Sequence, residues 1–150
     1  MKYLILTIIT LSLLSCHSRK TAKNADTETE NTLLPKEIVV DANFQQPKDN
    51  SSFEITAASI ENDILTITVT YSGGCKDHEF NAYFNEIYMK SQPPKAGIFI
   101  HHIGNDDLCK KLVTEELKFN LKPMRYPGKD SGYKVMIGMN NYKGYIEYDY

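Results

Sequence analysis

The sequence lacks tryptophan, has few cysteines and shows no strong excess of charge of either sign. Its 150 residues include no Trp, three Cys, 17 Lys and Arg, and 19 Asp and Glu, for a formal net charge of −2. A near-neutral chain argues against a nucleic-acid binder, which normally has a basic excess or stripe. The hydrophobic share of 41% excludes a chain that is disordered as a whole. We therefore expect one small domain that does not bind nucleic acid.

Familiar catalytic motifs are missing as well. The sequence has no Gly-x-Ser-x-Gly elbow, no His-Glu-x-x-His pair and no phosphate-binding glycine loop. Each of these motifs places a nucleophile, a metal or a phosphate where the chemistry needs it. We therefore predict a protein that is not an enzyme and that carries no cofactor.

The N-terminus is the most apolar part of the chain. Lys2 precedes a run from Leu4 to Leu14 in which Leu and Ile are interrupted only by Thr and Ser. A positive start followed by a short apolar stretch is typical of a secretory signal. The run is too short for a bilayer-spanning helix, which needs about 20 apolar residues. We predict a signal peptide over residues 1–15.

The segment Leu13-Leu14-Ser15-Cys16 resembles the lipobox of bacterial lipoproteins, with an aliphatic residue, then a small residue, then Cys. The resemblance covers the first 16 residues and implies that diacylglycerol is attached to the Cys16 thiol after cleavage behind Ser15. Leu14 departs from the small residue that the family usually has there. Several acyl chains, at about 0.8 kcal/mol per buried methylene, would anchor the protein to a membrane. An ordinary signal peptide that happens to carry a Cys is the alternative.

The residues after Cys16 bear on where such a lipoprotein resides. His17 stands where Asp would favour retention in the inner membrane, so the resemblance implies the outer membrane of a bacterial cell envelope. Ser18-Arg19-Lys20 is basic and does not resemble the acidic tags that send some lipoproteins to the cell exterior. We expect the protein to face the periplasm.

Residues 16–35 are polar and their charges cancel. Such a segment buries too little apolar surface to offset its chain entropy, so we predict a lipidated flexible tether. As a coil it would reach roughly 25 Å. The folded domain is then expected over residues 36–150.

The dominant hydrophobic period in that domain is two residues, which is typical of strands. The clearest example is the alternation of Leu65, Ile67, Val69 and Tyr71 with threonines. We predict strands at 53–57, 65–71, 80–84, 98–100, 117–121, 133–139 and 146–150, with one helical turn allowed within 106–116. About seven short strands predict an all-β fold, an antiparallel β-sandwich of immunoglobulin-like size. A small barrel is the alternative.

Two cysteines remain in the domain once Cys16 is assigned to lipid. Cys75 and Cys109 both fall in loops that follow strands, and exported proteins meet an oxidising compartment. We therefore predict a Cys75–Cys109 disulfide, with Gly73-Gly74 supplying positive φ in the turn before Cys75. A nucleophilic Cys75 activated by His78 is a weaker alternative.

A metal site is another interpretation of the same cysteines. Cys75, His78, His102 and Cys109 together make a Cys₂His₂ set that suits zinc or copper. His101 and His102 would point to opposite faces of a strand, so only one of the two could serve. Because bridged sulfurs do not ligate as thiolates, the disulfide and this site exclude each other.

These observations support three hypotheses about function. The first is a non-enzymatic, lipid-anchored envelope protein that contacts the membrane through Cys16 and binds a protein or has an accessory role. The second is a periplasmic inhibitor of a lytic or proteolytic enzyme, with Gly104–Cys109 as its insertion loop. The third is a metal carrier or sensor that uses the Cys₂His₂ set.

Overall fold

The structure is a computed structural model that describes residues 34–150. The predicted signal peptide, Cys16 and all but the last two residues of the predicted tether lie outside the described residues. The described part contains strands β1 to β9 and a 3₁₀ helix. Their bounds are β1 Lys36–Glu37, β2 Val39–Val40, β3 Glu54–Glu61, β4 Ile64–Gly73, β5 Glu79–Met89, β6 Lys95–Ile103, β7 Lys111–Asn120, the 3₁₀ helix Lys122–Met124, β8 Lys134–Met139 and β9 Ile146–Asp149. None of its helices is long and apolar enough to span a membrane.

The strands form two sheets that pack face to face. One has the order β1-β7-β4-β3 and the other the order β2-β5-β6-β8-β9. The predicted β-sandwich is confirmed, and the barrel alternative is wrong because the two sheets stay separate. The sheets are mixed and not purely antiparallel as predicted, because β1 with β7, β2 with β5, and β6 with β8 pair in parallel. The helical turn allowed within 106–116 does not form, since β7 begins at Lys111.

Alternation along the strands builds the core between the sheets. In β4 every second residue from Leu65 to Tyr71 is buried, and the intervening threonines face outward. Phenylalanines supply the largest apolar side chains of the facing layers, among them Phe80, Phe84 and Phe119. Burying such side chains contributes about 1.5–3 kcal/mol each, which is the main source of stability in a domain without Trp.

Asp63, in the turn between β3 and β4, ties one end of the sandwich together. Its carboxylate accepts hydrogen bonds from the Tyr148 hydroxyl in β9 and from the Arg125 guanidinium, the latter at 2.9 and 3.0 Å. Burial opposes ionisation of Asp63, but the bonds from Tyr148 and Arg125 outweigh it and hold its pKa below the usual value. One carboxylate therefore links both sheets and the segment after the 3₁₀ helix.

The raised pKa values of three tyrosines predict that the domain loses stability at alkaline pH. Burial raises the pKa of Tyr71 and of Tyr88 to about 12, and burial followed by the bond to Asp63 raises that of Tyr148. Because these folded-state pKa values lie above the usual 10.0, the neutral phenols contribute stability that is complete below pH 10 and is lost as pH rises through about 12.

The loss of stability is measured by following the ultraviolet absorbance of phenolate and the circular dichroism of the strands together as the pH rises. Some of the ten tyrosines should ionise only as the strand signal disappears. In guanidinium chloride, the control, all of them should ionise together near pH 10. A folded chain whose tyrosines all titrate as in guanidinium would contradict the prediction.

Candidate functional site

Two loops meet at one end of the sandwich, and we call them together the double loop. They are Gly74–His78, between β4 and β5, and Gly104–Lys110, between β6 and β7. The predicted disulfide is present and joins Cys75 of the first to Cys109 of the second, with Cα atoms 5.9 Å apart. The loops come together because β4 pairs with β7 and β5 pairs with β6, which brings their connections to the same end.

Asp107 holds the double loop from inside. Its Oδ2 accepts the backbone N–H groups of Cys75 at 2.8 Å and Lys76 at 2.9 Å, and its Oδ1 accepts that of Cys109 at 2.9 Å. The side chain is 1% exposed. The N–H groups of Cys109 and Cys75 stabilise the carboxylate and hold the pKa of Asp107 far below its usual value. Asp107 is therefore ionised at neutral pH, and its carboxylate links the backbones of the two loops.

Two more side chains cross between the loops. Lys76 Nζ donates to the carbonyl oxygens of Asn105 at 2.6 Å and Asp106 at 3.0 Å, and Asn105 Nδ2 donates to the carbonyl of Asp77 at 2.8 Å. Asn105 and Asp106 both have left-handed backbone, with φ of 51° and 52°. Such a conformation persists at non-glycine residues only where the surroundings fix it. The disulfide and these bonds make the double loop one rigid unit.

A pair of histidines continues this network into the core. His78 Nε2 lies 3.2 Å from Asp107 Oδ2, His78 Nδ1 lies 2.7 Å from His102 Nε2, and His102 Nδ1 lies 3.3 Å from the Ser51 carbonyl oxygen. His102 is 1% exposed and stacks on Phe80 with ring centroids 4.2 Å apart. The polar network is therefore sealed by aromatic rings.

Counting donors shows how many ring protons this pair of histidines needs. The Asp107 carboxylate and the Ser51 carbonyl, at the two ends, are both acceptors. Three hydrogen bonds need three ring N–H groups, whereas two neutral imidazoles carry only two. Burial and the neighbouring His78 lower the pKa of His102. The three contacts together therefore need one proton more than the two neutral rings supply.

Two glycines make room for this network. Gly74 has φ of +96°, so the predicted positive φ is found there. Gly73 does not have a positive φ, and the prediction for it is corrected: Gly73 is needed for space, since a Cβ there would lie 2.5 Å from His78 Nε2. At Gly104 a Cβ would lie 2.7 Å from Ser51 Oγ.

All four predicted metal ligands lie at this end of the sandwich, where they form two bonded pairs. Cys75 and Cys109 are bonded to each other, and His78 is hydrogen-bonded to His102. The Cys₂His₂ metal site is therefore wrong for the oxidised chain, because neither sulfur is a thiolate. The alternative of a Cys75 nucleophile fails for the same reason. Asp107 also lies near the two sulfurs, but its oxygens already accept backbone N–H groups.

The outer surface of the double loop presents a leucine that the sequence analysis did not single out. Leu108 lies between Asp107 and Cys109, which fix the backbone on both sides, and its side chain is 89% exposed. Leu112, at the start of β7, is 72% exposed. The signal in the sequence was an apolar residue inside an acidic loop next to a cysteine. Single exposed leucines are common, but the backbone of this one is flanked by the disulfide and by the bond from Cys109 N–H to Asp107.

Comparisons with known proteins found a similar fold among solved structures. No family model matches the sequence, and neither does any curated protein. Among solved structures, a NigD-like immunity protein from Bacteroides caccae ATCC 43185 superposes on 77% of this chain with a TM-score of 0.52 and 16% identity. This chain spans 59% of the length of that protein. At this identity the likeness shows the β-sandwich fold alone.

Two further solved structures are more distant. One is described as a toxin-related protein from Parabacteroides distasonis ATCC 8503, with a TM-score of 0.46, 14% identity and coverage of 75% of this chain and 60% of its own. The other is a DUF1344 protein of unknown function from Bacteroides vulgatus ATCC 8482, with a TM-score of 0.48, 15% identity and coverage of 78% and 56%. The chain is thus a disulfide-linked β-sandwich whose fold is similar to that of part of the longer protein from Bacteroides caccae.

Proposed function

We propose that this chain is a non-enzymatic binding protein of the bacterial cell envelope that holds a protein partner with its double loop. The observation that carries the proposal is Leu108, an 89%-exposed apolar side chain on a loop fixed by a disulfide and cross-loop hydrogen bonds. Ordering a flexible loop costs affinity, and a loop that is already rigid avoids that cost. A partner with an apolar socket for Leu108 fits this surface.

The more specific form of the proposal is an inhibitor of a lytic or proteolytic enzyme. A rigid loop with one protruding side chain suits insertion into an active-site cleft, because it is not easily reshaped by the enzyme it blocks. The neighbour of the same fold from Bacteroides caccae is an immunity protein, which supports this form. The backbone bonds of Asp107 keep Leu108 in place whether or not a partner is bound.

The location of the protein belongs to the same proposal. The lipobox-like segment Leu13-Leu14-Ser15-Cys16 supports lipid attachment at Cys16, and residues 16–35 would form a tether with a reach of roughly 25 Å. The proposed position is the outer membrane, facing the periplasm. From there the double loop would meet enzymes that enter or act in the envelope.

Site-specific photo-crosslinking in cells tests the partner. A photoreactive amino acid at position 112, next to the double loop, should give a discrete adduct with one envelope protein. In this background Leu108→Asp should reduce the adduct at least about 30-fold, the loss expected of a buried apolar anchor. Ile87→Asp, at a 60%-exposed position in β5, is the matched control and should leave the adduct unchanged.

An adduct that persists in L108D, or that disappears equally in I87D, would contradict binding through the double loop. Absence of any adduct at position 112 would contradict it as well. The same cells test the anchor. Cys16→Ser should move the chain from the membrane fraction to the soluble fraction, and an unchanged fractionation would refute lipid attachment at Cys16.

A further inference from the structure

A second surface lies on the outer face of the five-stranded sheet, and we call it the uncharged groove. It consists of two adjoining depressions of about 530 and 390 Å³, which share Met89, Gly97, Ile98 and Asn140. The first is also lined by Phe44, Gln46, Tyr83, Asn85, Ile87 and Phe99, and the second by Ala96, Gly138, Met139, Tyr142, Gly144 and Tyr145. It is built on β5, β6 and β8 and is separate from the residues of the double loop.

None of the residues that line the groove is charged, although 24% of the chain is charged. The solvent-facing side of a sandwich sheet is normally rich in polar and charged side chains. An ammonium group would find no countercharge in this lining, and an anion would meet Lys95, whose Nζ already lies 4.6 Å from the ring centroid of the lining residue Tyr145. The lining therefore fits a ligand without charge.

The floor of the groove is bare backbone. Gly97 of β6 pairs directly with Gly138 of β8, so two adjacent strands lack a side chain at the same level. The Tyr145 ring fills the space over Gly138, where a Cβ would lie 3.0 Å from it, but nothing lies within 4 Å of a Cβ at Gly97. Glycine inside a strand often marks a place where a ligand approaches the backbone closely. The open position at Gly97 is such a place.

Aromatic rings and amides form the walls. Phe44 stacks on Tyr83 with centroids 4.5 Å apart and lies 5.5 Å from Phe99. Tyr145 stands in the adjoining depression, with Lys95 Nζ 4.6 Å from its ring centroid. Gln46 and Asn85 add two amide side chains to the lining. The walls thus combine flat apolar faces with neutral hydrogen-bonding groups.

We propose that the uncharged groove binds a neutral oligosaccharide. The C–H faces of a sugar ring pack against aromatic rings, and its hydroxyl groups exchange hydrogen bonds with amides and tyrosine hydroxyls. Small apolar ligands prefer pockets that enclose most of their surface, whereas this groove is open along the sheet and suits an extended chain of rings. A ring seated over Gly97 would touch the backbone of β6 and lie next to Tyr145. The inference does not depend on the double loop.

Gly97→Val is the most direct test. A valine there has an open space to occupy and a side chain that suits a strand, so the free energy of unfolding should not fall. It should nevertheless fill the floor of the groove and exclude the sugar. Tyr145→Ala removes a wall, and Thr68→Val on the outer face of the other sheet is the matched control.

The full chain and its variants are screened on an array of neutral oligosaccharides (glucans, xylans, mannans and galactans) beside acidic ones, and hits are measured by calorimetry. We expect binding of a neutral oligosaccharide that is weakened at least about tenfold in G97V and Y145A and unchanged in T68V and L108D. Binding of no neutral sugar, stronger binding of acidic sugars, or undiminished binding by G97V would overturn the proposal. So would capture of an uncharged peptide in the groove in place of any sugar.

Discussion

Replacing both Cys75 and Cys109 with alanine should lower the free energy of unfolding by roughly 3–4 kcal/mol. The two residues are 34 positions apart, and releasing a closed loop of that length returns about this much chain entropy to the unfolded state. Domains of this size have a total stability of about 5–15 kcal/mol. The loss would therefore be a large share of the total and should lower the melting temperature on the order of 10–20 °C.

Denaturant unfolding of the oxidised chain, the reduced chain and the double variant measures this effect. Reduction should bring the wild type to the stability of the variant, and the variant itself should not respond to reductant. A change in midpoint without a change in the slope would show that stability, and not the compactness of either state, is affected. An oxidised chain no more stable than the variant would contradict the prediction.

Substituting His102 with leucine should destabilise the domain by roughly 2–5 kcal/mol. His102 is buried, and its loss would leave His78 Nδ1 and the Ser51 carbonyl without a partner, each at a cost of about 1–3 kcal/mol. The stack on Phe80 would be lost as well. The effect should spread to the double loop, because His78 is one of the contacts of Asp107.

The neighbouring residue provides the control. His101 is also buried, at 7% exposure, but neither of its ring nitrogens has a hydrogen-bond partner within the described residues. Its nearest carboxylate oxygen, from Asp49, is 3.7 Å away, which is too far for a hydrogen bond. His101→Leu should therefore stay within about 1 kcal/mol of the wild type or be more stable. If H101L and H102L proved equally destabilising, the network would not contribute as argued.

Alternation in the sequence located the long strands but not their full extent, since β7 begins at Lys111 and not at residue 117. Leu65, Ile67, Val69 and Tyr71 are buried as their period indicates, because a strand with one face on the core repeats every two residues. The two-residue strands β1 and β2 were missed, since they are too short to show a period. The parallel pairing of β6 with β8 was also missed, because the partner of a strand depends on residues distant in the sequence.

The candidate site, like the fold, was predicted from the sequence only in part. The expectation of an exported domain with two cysteines was enough to predict the Cys75–Cys109 bridge. His78 and His102, which the sequence pattern grouped as metal ligands, do meet, but they bond to each other. The role of Asp107 could not be predicted, because its partners are backbone N–H groups that only the folded loops bring together. A backbone donor has no residue type and leaves no trace in the sequence.

At residues 36–40 the chain passes from the edge of one sheet to the edge of the other, and this arrangement has a consequence for aggregation. β1 covers only Phe119 and Asn120 on the edge of one sheet, and the next strand, β2, covers only Tyr83 and Phe84 on the edge of the other. Ile38 between them is buried, so one segment of five residues covers part of both edges. A proteolytic cut that removed them would free these four paired residues on the two edges in a single event, and unpaired edges invite other chains to add strands. The loss of this short segment would therefore lengthen the unpaired edge of both sheets at the same time.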